Sequence, residues 1–289
     1  MAINWFPGHM HKARKEIKKI MPQMDLIIEV LDARIPFSSE NPLVSTLRQD
    51  TPVIKVLNKR DLADPEVTAQ WQTVLESHQN LRALTLSHNQ RTEAMAILTL
   101  AREMTAHRNL ERRALRVMIL GIPNVGKSTL INTLAGRTIA KTGNEPAVTR
   151  AQQMIKLPGN ILLYDTPGFL WPKLTPEACG YRLAVTGAIR SAVIEFEDVA
   201  LFAADYLLAA YPDALKERYG LSPLPRDGLA VLDAIAARRN FFARGGIPDL
   251  HKVSEVLLNE LRSGKLGRIS LETPAMVAEE ARVAEAEKL

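Results

Sequence analysis

Three strings of the chain carry residue types suited to phosphate and purine chemistry. The first is Gly121-Ile-Pro-Asn-Val-Gly126-Lys127-Ser128, with the spacing G-x-x-x-x-G-K-[ST]. Glycines at these places let successive backbone N–H groups turn inward and cradle phosphate oxygens at a helix N-terminus. In such a loop the lysine reaches the β- and γ-phosphates and the serine hydroxyl ligates Mg²⁺. Asn124, Val125, Gly126, Lys127, Ser128 and Thr129 are therefore the candidate phosphate-binding residues. The second string is Asp165-Thr-Pro-Gly168. A carboxylate here is placed to hold Mg²⁺, directly or through water, and Gly168 lets a backbone N–H approach the γ-phosphate. D-x-x-G is a weak signal alone and a strong one downstream of a phosphate loop.

The third string, Asn58-Lys59-Arg60-Asp61, is a base reader. Guanine presents N1–H and N2–H₂ as adjacent donors, which one aspartate carboxylate accepts together. Adenine presents an acceptor at N1, so Asp61 would face a lone pair and lose its partner, and a site of this kind rejects the wrong base strongly. Asn58 bridges the base and neighbouring loops, and the aliphatic stem of Lys59 covers the ring. By position, Ser87-His88-Asn89 resembles the last guanine-contacting loop of GTPases, usually Ser-Ala-Lys. His88 and Asn89 depart from that pattern, so only Ser87 is carried over as a nucleotide-binding candidate. Thr149 lies between the phosphate loop and Asp165, where a switch threonine binds Mg²⁺ and the γ-phosphate. Ser128, Thr149 and Asp165 form the expected Mg²⁺ set, with Thr149 and Asp165 as the switch residues.

Elements must place these strings side by side. Apolar runs at Leu26–Leu31, Pro52–Leu57, Leu81–Leu86, Leu115–Leu120 and Asn160–Tyr164 read as buried parallel strands. Helical stretches at about 40–49, 66–78, 90–110 and 127–135 separate them, and residues 10–20 read as a basic helix. Strands alternating with helices imply right-handed βαβ units, hence an α/β fold with a doubly wound sheet. Each polar string follows a strand, where ligands bind in open α/β sheets. From about 175 to 262 apolar residues recur at helical spacing without a convincing strand, for example Val253, Val256, Leu257 and Leu261. The expected organisation is residues 1–174 as a nucleotide-binding domain with a basic N-terminal helix, and 175–289 as a smaller all-α domain. Residues 273–289, rich in Ala and Glu, read as a marginal helix or a disordered tail.

Composition excludes several classes. The chain has 289 residues, 46% of them apolar and 24% charged, as in ordinary globular proteins. The single Cys179 rules out an internal disulfide framework and reads as plain packing in a reducing compartment. No run of eighteen apolar residues marks a membrane span. The N-terminal segment lacks the apolar core of a signal peptide, and as a transit peptide it carries Glu16 and little serine. Net charge is +5, which favours an anionic partner. Residues 1–21 hold five Lys/Arg (Lys12, Arg14, Lys15, Lys18, Lys19) against Glu16, and residues 226–268 hold eight basic against five acidic side chains. Solvated helix faces explain these regions equally well from charge alone.

The order of the motifs is unusual. GTPases ordinarily run phosphate loop, switch threonine, D-x-x-G, N-K-x-D and then the Ser-Ala-Lys loop; here N-K-R-D and Ser87 come first. This permuted order, with WFPGHM at 5–10 and LDARIPFSSENP at 31–42, resembles the circularly permuted GTPases, and among them the bacterial ribosome biogenesis GTPase A family (RbgA/YlqF). The segments TGAIRSAVIEF, GGIPD and GKLGRISLETP resemble that family's helical C-terminal domain, so the likeness runs nearly end to end. It implies a P-loop GTPase sheet and binding of GTP and GDP. It also implies hydrolysis during maturation of the large ribosomal subunit precursor, contact with its rRNA, a cytoplasmic location and no membrane; a monomer is the default for this size and class. Phe169 follows D-x-x-G where Ras-like enzymes carry a water-orienting glutamine, so turnover is expected to be slow alone and stimulated by the ribosomal particle. The resemblance makes His9 the candidate catalytic group, against the reading of a surface histidine opening a basic helix. It likewise offers Asn124 as a K⁺ ligand, against a turn-forming asparagine. Arg238, Arg239, Arg244, Lys265 and Arg268 are candidate holders of RNA phosphates. The rival is a regulatory GTPase that binds only proteins.

Overall fold

The computed structural model describes residues 15–87, 90–108, 113–140, 153–168, 170–171, 174–189 and 195–286. Six strands form one sheet: β1 (Leu26–Asp32), β2 (Val53–Asn58), β3 (Leu81–Thr85), β4 (Leu115–Gly121), β5 (Gln153–Leu157) and β6 (Ile161–Asp165). Their spatial order is β3-β2-β1-β4-β6-β5, all pairs parallel except β5 with β6. The five runs expected as strands are β1, β2, β3, β4 and β6. Every residue of β1 is buried, as a central parallel strand covered on both faces requires.

Helices α1 (residues 15–20), α2 (Pro42–Leu47), α3 (Pro65–Glu76), α4 (Arg91–Met104) and α5 (Lys127–Ala135) accompany the sheet. The chain steps from β1 to β2 to β3 in one direction, then returns to lay β4 on the other side of β1. Right-handed crossovers in opposite directions put α2 and α3 on one face and α4 and α5 on the other. The reversal between β1 and β4 opens a crevice at the carboxyl ends of these strands. Local chemistry sets the helix starts. Pro65 occupies the first turn of α3, where its missing N–H costs nothing, and the Asp64 carboxylate accepts from Glu66 N (2.9 Å) and Val67 N (3.3 Å).

Beyond β6 the described residues form helices: α6 (Glu177–Val185), α7 (Phe196–Ala210), α8 (Pro212–Tyr219), α9 (Gly228–Arg239), α10 (Leu250–Arg262) and α11 (Pro274–Ala286). The apolar α7 is the hub, packing on α6, α8, α9 and α10. Gly228 opens α9 against it: Gly228 N donates to Asp205 Oδ1 at 2.6 Å, and a Cβ there would lie 2.6 Å from the same oxygen. Buried apolar side chains run as one continuous cluster from the sheet into these helices.

Of the two alternatives for residues 273–289, the structure takes the helical one. Residues 274–286 are helical, and the segment before them returns to the sheet. Leu271 N donates to Arg34 O (2.8 Å), and Trp71 Nε1 donates to Glu272 O (3.1 Å). The Glu272 carboxylate is fully buried and accepts from Phe37 N, Ser38 N and the Ser38 hydroxyl, with Arg182 at 3.4 Å. Arg182 also pairs with Glu280 of α11. The composition of the tail did not reveal this, because a few buried ions, rather than an apolar stripe, dock it. The edge strand β5 was also missed: its exposed Gln153 and Met154 and its Lys156 give no continuous apolar run.

Two outcomes follow. Glu272→Ala, which removes one of the two carboxylates facing Arg182 and leaves the Phe37 and Ser38 backbone donors and the Ser38 hydroxyl unpaired, should lower stability by about 3–5 kcal/mol in a denaturant titration. Glu29 sits in β1 opposite Lys55 of β2, fully buried, and burial pushes its carboxyl up to about 7 in spite of Lys55. The folded chain then holds a proton that the unfolded chain releases near the ordinary carboxyl value of 4.5, so stability falls as pH rises through this window. Glu29→Gln should remove on the order of 1–3 kcal/mol of that decline between pH 5 and 8; identical slopes in both proteins would reject the assignment.

Candidate nucleotide site

The phosphate-loop string leaves β4 at Gly121, whose missing Cβ leaves room for Val30 O of β1 at 2.8 Å from that position. Asn124 (φ 59°) and Gly126 (φ 95°) are both left-handed, a turn that gathers N–H groups on its inner side before α5 begins at Lys127. Gly126 is also required for space. A Cβ there would lie 2.2 Å from Asn58 Nδ2, and that amide donates to Val125 O at 2.8 Å. The base-reading string is thereby bonded directly to the phosphate loop.

Lys127 is buried, and its ammonium contacts Asp165 Oδ1 at the end of β6. Burial pulls Lys127 below the usual lysine range and pushes Asp165 above the usual carboxylate range, since each charge is short of water. The second carboxylate oxygen, Asp165 Oδ2, is buried without a hydrogen-bond partner. An orphaned carboxylate oxygen is a ligand a hard cation takes, and Mg²⁺ sites use one or two protein oxygens with substrate phosphates supplying others. Among the described residues no cluster of three or more His, Cys, Asp or Glu occurs. Thr166 donates its hydroxyl to Ile119 O (2.9 Å), pinning the start of D-T-P-G to β4. Gly168 lies over the phosphate loop, where a Cβ would be 3.3 Å from Pro123 N. Ser128 and Thr129 are half-buried in the first turn of α5.

Asn58 ends β2, and its carbonyl accepts from Ala33 N (2.8 Å). Lys59 is left-handed (φ 62°), a conformation a lysine adopts only when its surroundings enforce it. Its ammonium bonds Asp32 Oδ2 at 3.0 Å. Asp32 also receives Arg34 in a two-pronged contact, Nε to Oδ1 at 2.9 Å and Nη2 to Oδ2 at 2.7 Å. Burial raises the cost of the Asp32 charge, yet Arg34 and Lys59 outweigh it and hold the carboxyl well below its usual range. Arg60 N donates to Leu86 O (2.9 Å), while its guanidinium reaches Thr85 and Glu93. That ties half-buried Ser87 to the base-reading turn. Asp61 is exposed within the short 3₁₀ turn Arg60–Leu62, and its charge acts on Arg34 and Lys59.

The structure thus brings Asn58, Lys59, Asp61, Ser87, the residues from Asn124 to Thr129, Asp165 and Gly168 to the carboxyl edge of the sheet. His9, Thr149, Phe169, His88 and Asn89 lie outside the described residues. Sequence reasoning assigned no role to Asp32 and Arg34. Their signal was available, because they too are polar residues following a buried strand. Asn124, read as a phosphate-loop residue and K⁺ candidate, also donates its amide to Gly187 O, just beyond α6, at 2.8 Å. The C-terminal arginines are partly committed elsewhere: Arg238 donates to Gly220 O, Arg239 lies near Glu260 and over the Tyr219 ring, and Arg268 donates to Arg60 O and Ala63 O. Arg244 and Lys265 are exposed. Among the described residues no helix is long and apolar enough to cross a membrane.

Comparisons agree with this geometry. Residues 116–223 match the family model for a 50S ribosome-binding GTPase. A ribosome biogenesis GTPase A of Bacillus pumilus is 42% identical over 281 residues, covering 95% of this chain and 99% of the relative. Among solved structures, a GDP-bound YlqF (26% identical, TM-score 0.64, 90% of this chain and 99% of that one) is similar. So is GNP-bound YlqF from T. maritima (26% identical, TM-score 0.63, 91% and 98%). Likeness of this extent, on a sheet whose base-reading loop precedes its phosphate loop, makes the chain a circularly permuted P-loop GTP hydrolase that belongs to the ribosome biogenesis GTPase A family.

Proposed function

We propose that this chain acts in maturation of the large (50S) ribosomal subunit, binding the precursor particle and its rRNA in a GTP-dependent way. The observation that carries the nucleotide half of this reading is the bond from Asn58 to the phosphate loop, which joins base and phosphate recognition on one sheet edge. The names of the similar proteins support the ribosomal half. In this reading residues 1–174 are the nucleotide unit and 175–289 the helical unit that meets RNA. The protein works in the cytoplasm as a monomer and away from membranes.

The chain's own groups divide the work as follows. The inward N–H groups from Asn124 to Thr129 hold the phosphates, and Lys127 exchanges its buried contact with Asp165 for the β- and γ-phosphates. Asp61 accepts both guanine donors, with Asn58, Lys59 and Ser87 framing the base. Ser128, Thr149 and Asp165 would hold Mg²⁺, whose bound chemistry is neutralisation of the phosphate charge; the orphaned Asp165 Oδ2 supports this. Gly168 senses the γ-phosphate through its backbone N–H. His9 orients the attacking water once the ribosomal particle positions it, since Phe169 has no group to do so. Asn124 is the candidate K⁺ ligand. Arg244, Lys265 and the basic N-terminal helix contact RNA phosphates.

The alternative, a regulatory GTPase with only protein partners, draws on the internal engagement of Arg238, Arg239 and Arg268. Turnover separates the two. GTP hydrolysis should rise at least about tenfold with purified 50S subunits, and the GTP-analogue form should co-sediment with them in a salt-dependent manner. Turnover indifferent to subunits, with no co-sedimentation, rejects the ribosomal reading. Asp61→Asn should weaken GTP by about 100-fold or more and gain xanthosine nucleotide binding, because the amide donates where the base now accepts.

A further inference from the structure

The base-reading turn is gripped from the far end of the chain. Arg268 follows α10 and is exposed, and its guanidinium spans two backbone acceptors of the turn, Nε to Ala63 O at 3.0 Å and Nη2 to Arg60 O at 3.2 Å. Ile269 N donates to Leu62 O (2.9 Å), and Ser270 Oγ accepts from Asp64 N (3.1 Å). Tyr211 OH bonds Asp64 Oδ2 (3.1 Å) and receives Ser270 N (3.3 Å). Gly264 is pressed on the same turn, its absent Cβ lying 2.8 Å from Leu62 Cδ2. Arg60, Leu62, Ala63 and Asp64, on both sides of Asp61, are therefore all bonded to or packed on residues 211–270. From beneath, Asp32 and Arg34 hold the left-handed Lys59, and Arg34 O is itself bonded to Leu271 N.

We propose that Arg268 is a positioning residue for guanine recognition: by bridging the carbonyls of Arg60 and Ala63 it fixes the turn that carries Asp61, so the C-terminal segment sets guanine selectivity. This rests on the reading of Asp61 as the guanine acceptor. A bond pair to N1–H and N2–H₂ demands placement of the carboxylate within about 0.5 Å. Three residues of 3₁₀ turn, preceded by a left-handed lysine, do not supply that rigidity by themselves. The planar guanidinium does, because its nitrogens are fixed relative to one another and reach two carbonyls at once. Arg268 is itself exposed, so truncating it opens no cavity in the core. The effect belongs to base recognition rather than to folding.

The test compares GDP with IDP, which lacks the N2 amino group and so makes one of the two Asp61 bonds. Arg268→Ala should weaken GDP by about tenfold and IDP by less than about threefold, with thermal unfolding near that of the wild type. Arg268→Lys keeps the charge but cannot span the two carbonyls, so it should behave like the alanine variant. Asp61→Asn, measured alongside, should lose GDP and gain XDP. Equal weakening of GDP and IDP, or wild-type affinity in Arg268→Lys, overturns the bridging role while Asp61→Asn still switches base. An Asp61→Asn variant with unchanged GDP affinity removes Asp61 from the site and takes the proposal with it.

Discussion

Two loops that the chain makes far apart in sequence must share one small volume, and the geometry at Gly126 is the constraint that makes this possible. The residue has to be left-handed for the phosphate cradle to form, and it has to lack a side chain because the Asn58 amide occupies that space. Asn58 then donates to the adjacent Val125 carbonyl. Any side chain at 126 would strain the backbone and expel the asparagine together. Base and phosphate loops therefore cannot be displaced independently. In a permuted chain, where the base-reading loop leads and the phosphate loop follows, that bond does across space what sequence proximity does not.

Charge is arranged around the same crevice with little water to soften it. Lys127 and Asp165 neutralise each other between the phosphate loop and the end of β6, at a cost in desolvation that shifts both towards their neutral forms. Asp32 differs. Two cations, Arg34 and Lys59, converge on it and keep it ionised. The first pair is incomplete, with Asp165 Oδ2 unbonded, and is suited to be opened by an incoming phosphate and cation. In the second both Asp32 oxygens are engaged, by Arg34 and Lys59, and the one orphan is Arg34 Nη1, a donor rather than a cation ligand. One buried pair lies between the phosphate loop and the end of β6, and the other holds the shape of the turn after β2.

The sequence made the sheet legible because buried parallel strands are continuous apolar runs, and each functional string sits at the end of one. Where a residue works by its own chemistry, as Gly126, Lys127, Asp61 and Asp165 are expected to do, type and spacing sufficed to single it out. The misses share a different cause. The edge strand β5 mixes polar and apolar residues, and α11 is docked by Arg182 and Glu280 rather than by an apolar stripe. The second row of the site escaped for the same reason. Asp32, Arg34, Arg268 and Glu272 act through partners remote in the chain, and nothing local in a sequence states that Arg268 will meet Arg60 O rather than solvent or RNA.

That remoteness also shows what the permutation does to communication. In the observed sheet the chain enters at β1, beside the crevice, and the D-T-P-G loop leaves β6 a few residues before the helices begin. The helical region is thus attached to the phosphate-sensing end by its first residues, and Asn124 touches it at Gly187. Its last residues come back to the base-reading end, through Ile269, Ser270 and Leu271. One connection therefore lies at the phosphate-loop end of the crevice and the other at the Asn58–Asp61 end. The helical region is thus bonded at both ends of the crevice, and Glu272, buried and multiply bonded, makes the base-end contact the more heavily anchored of the two.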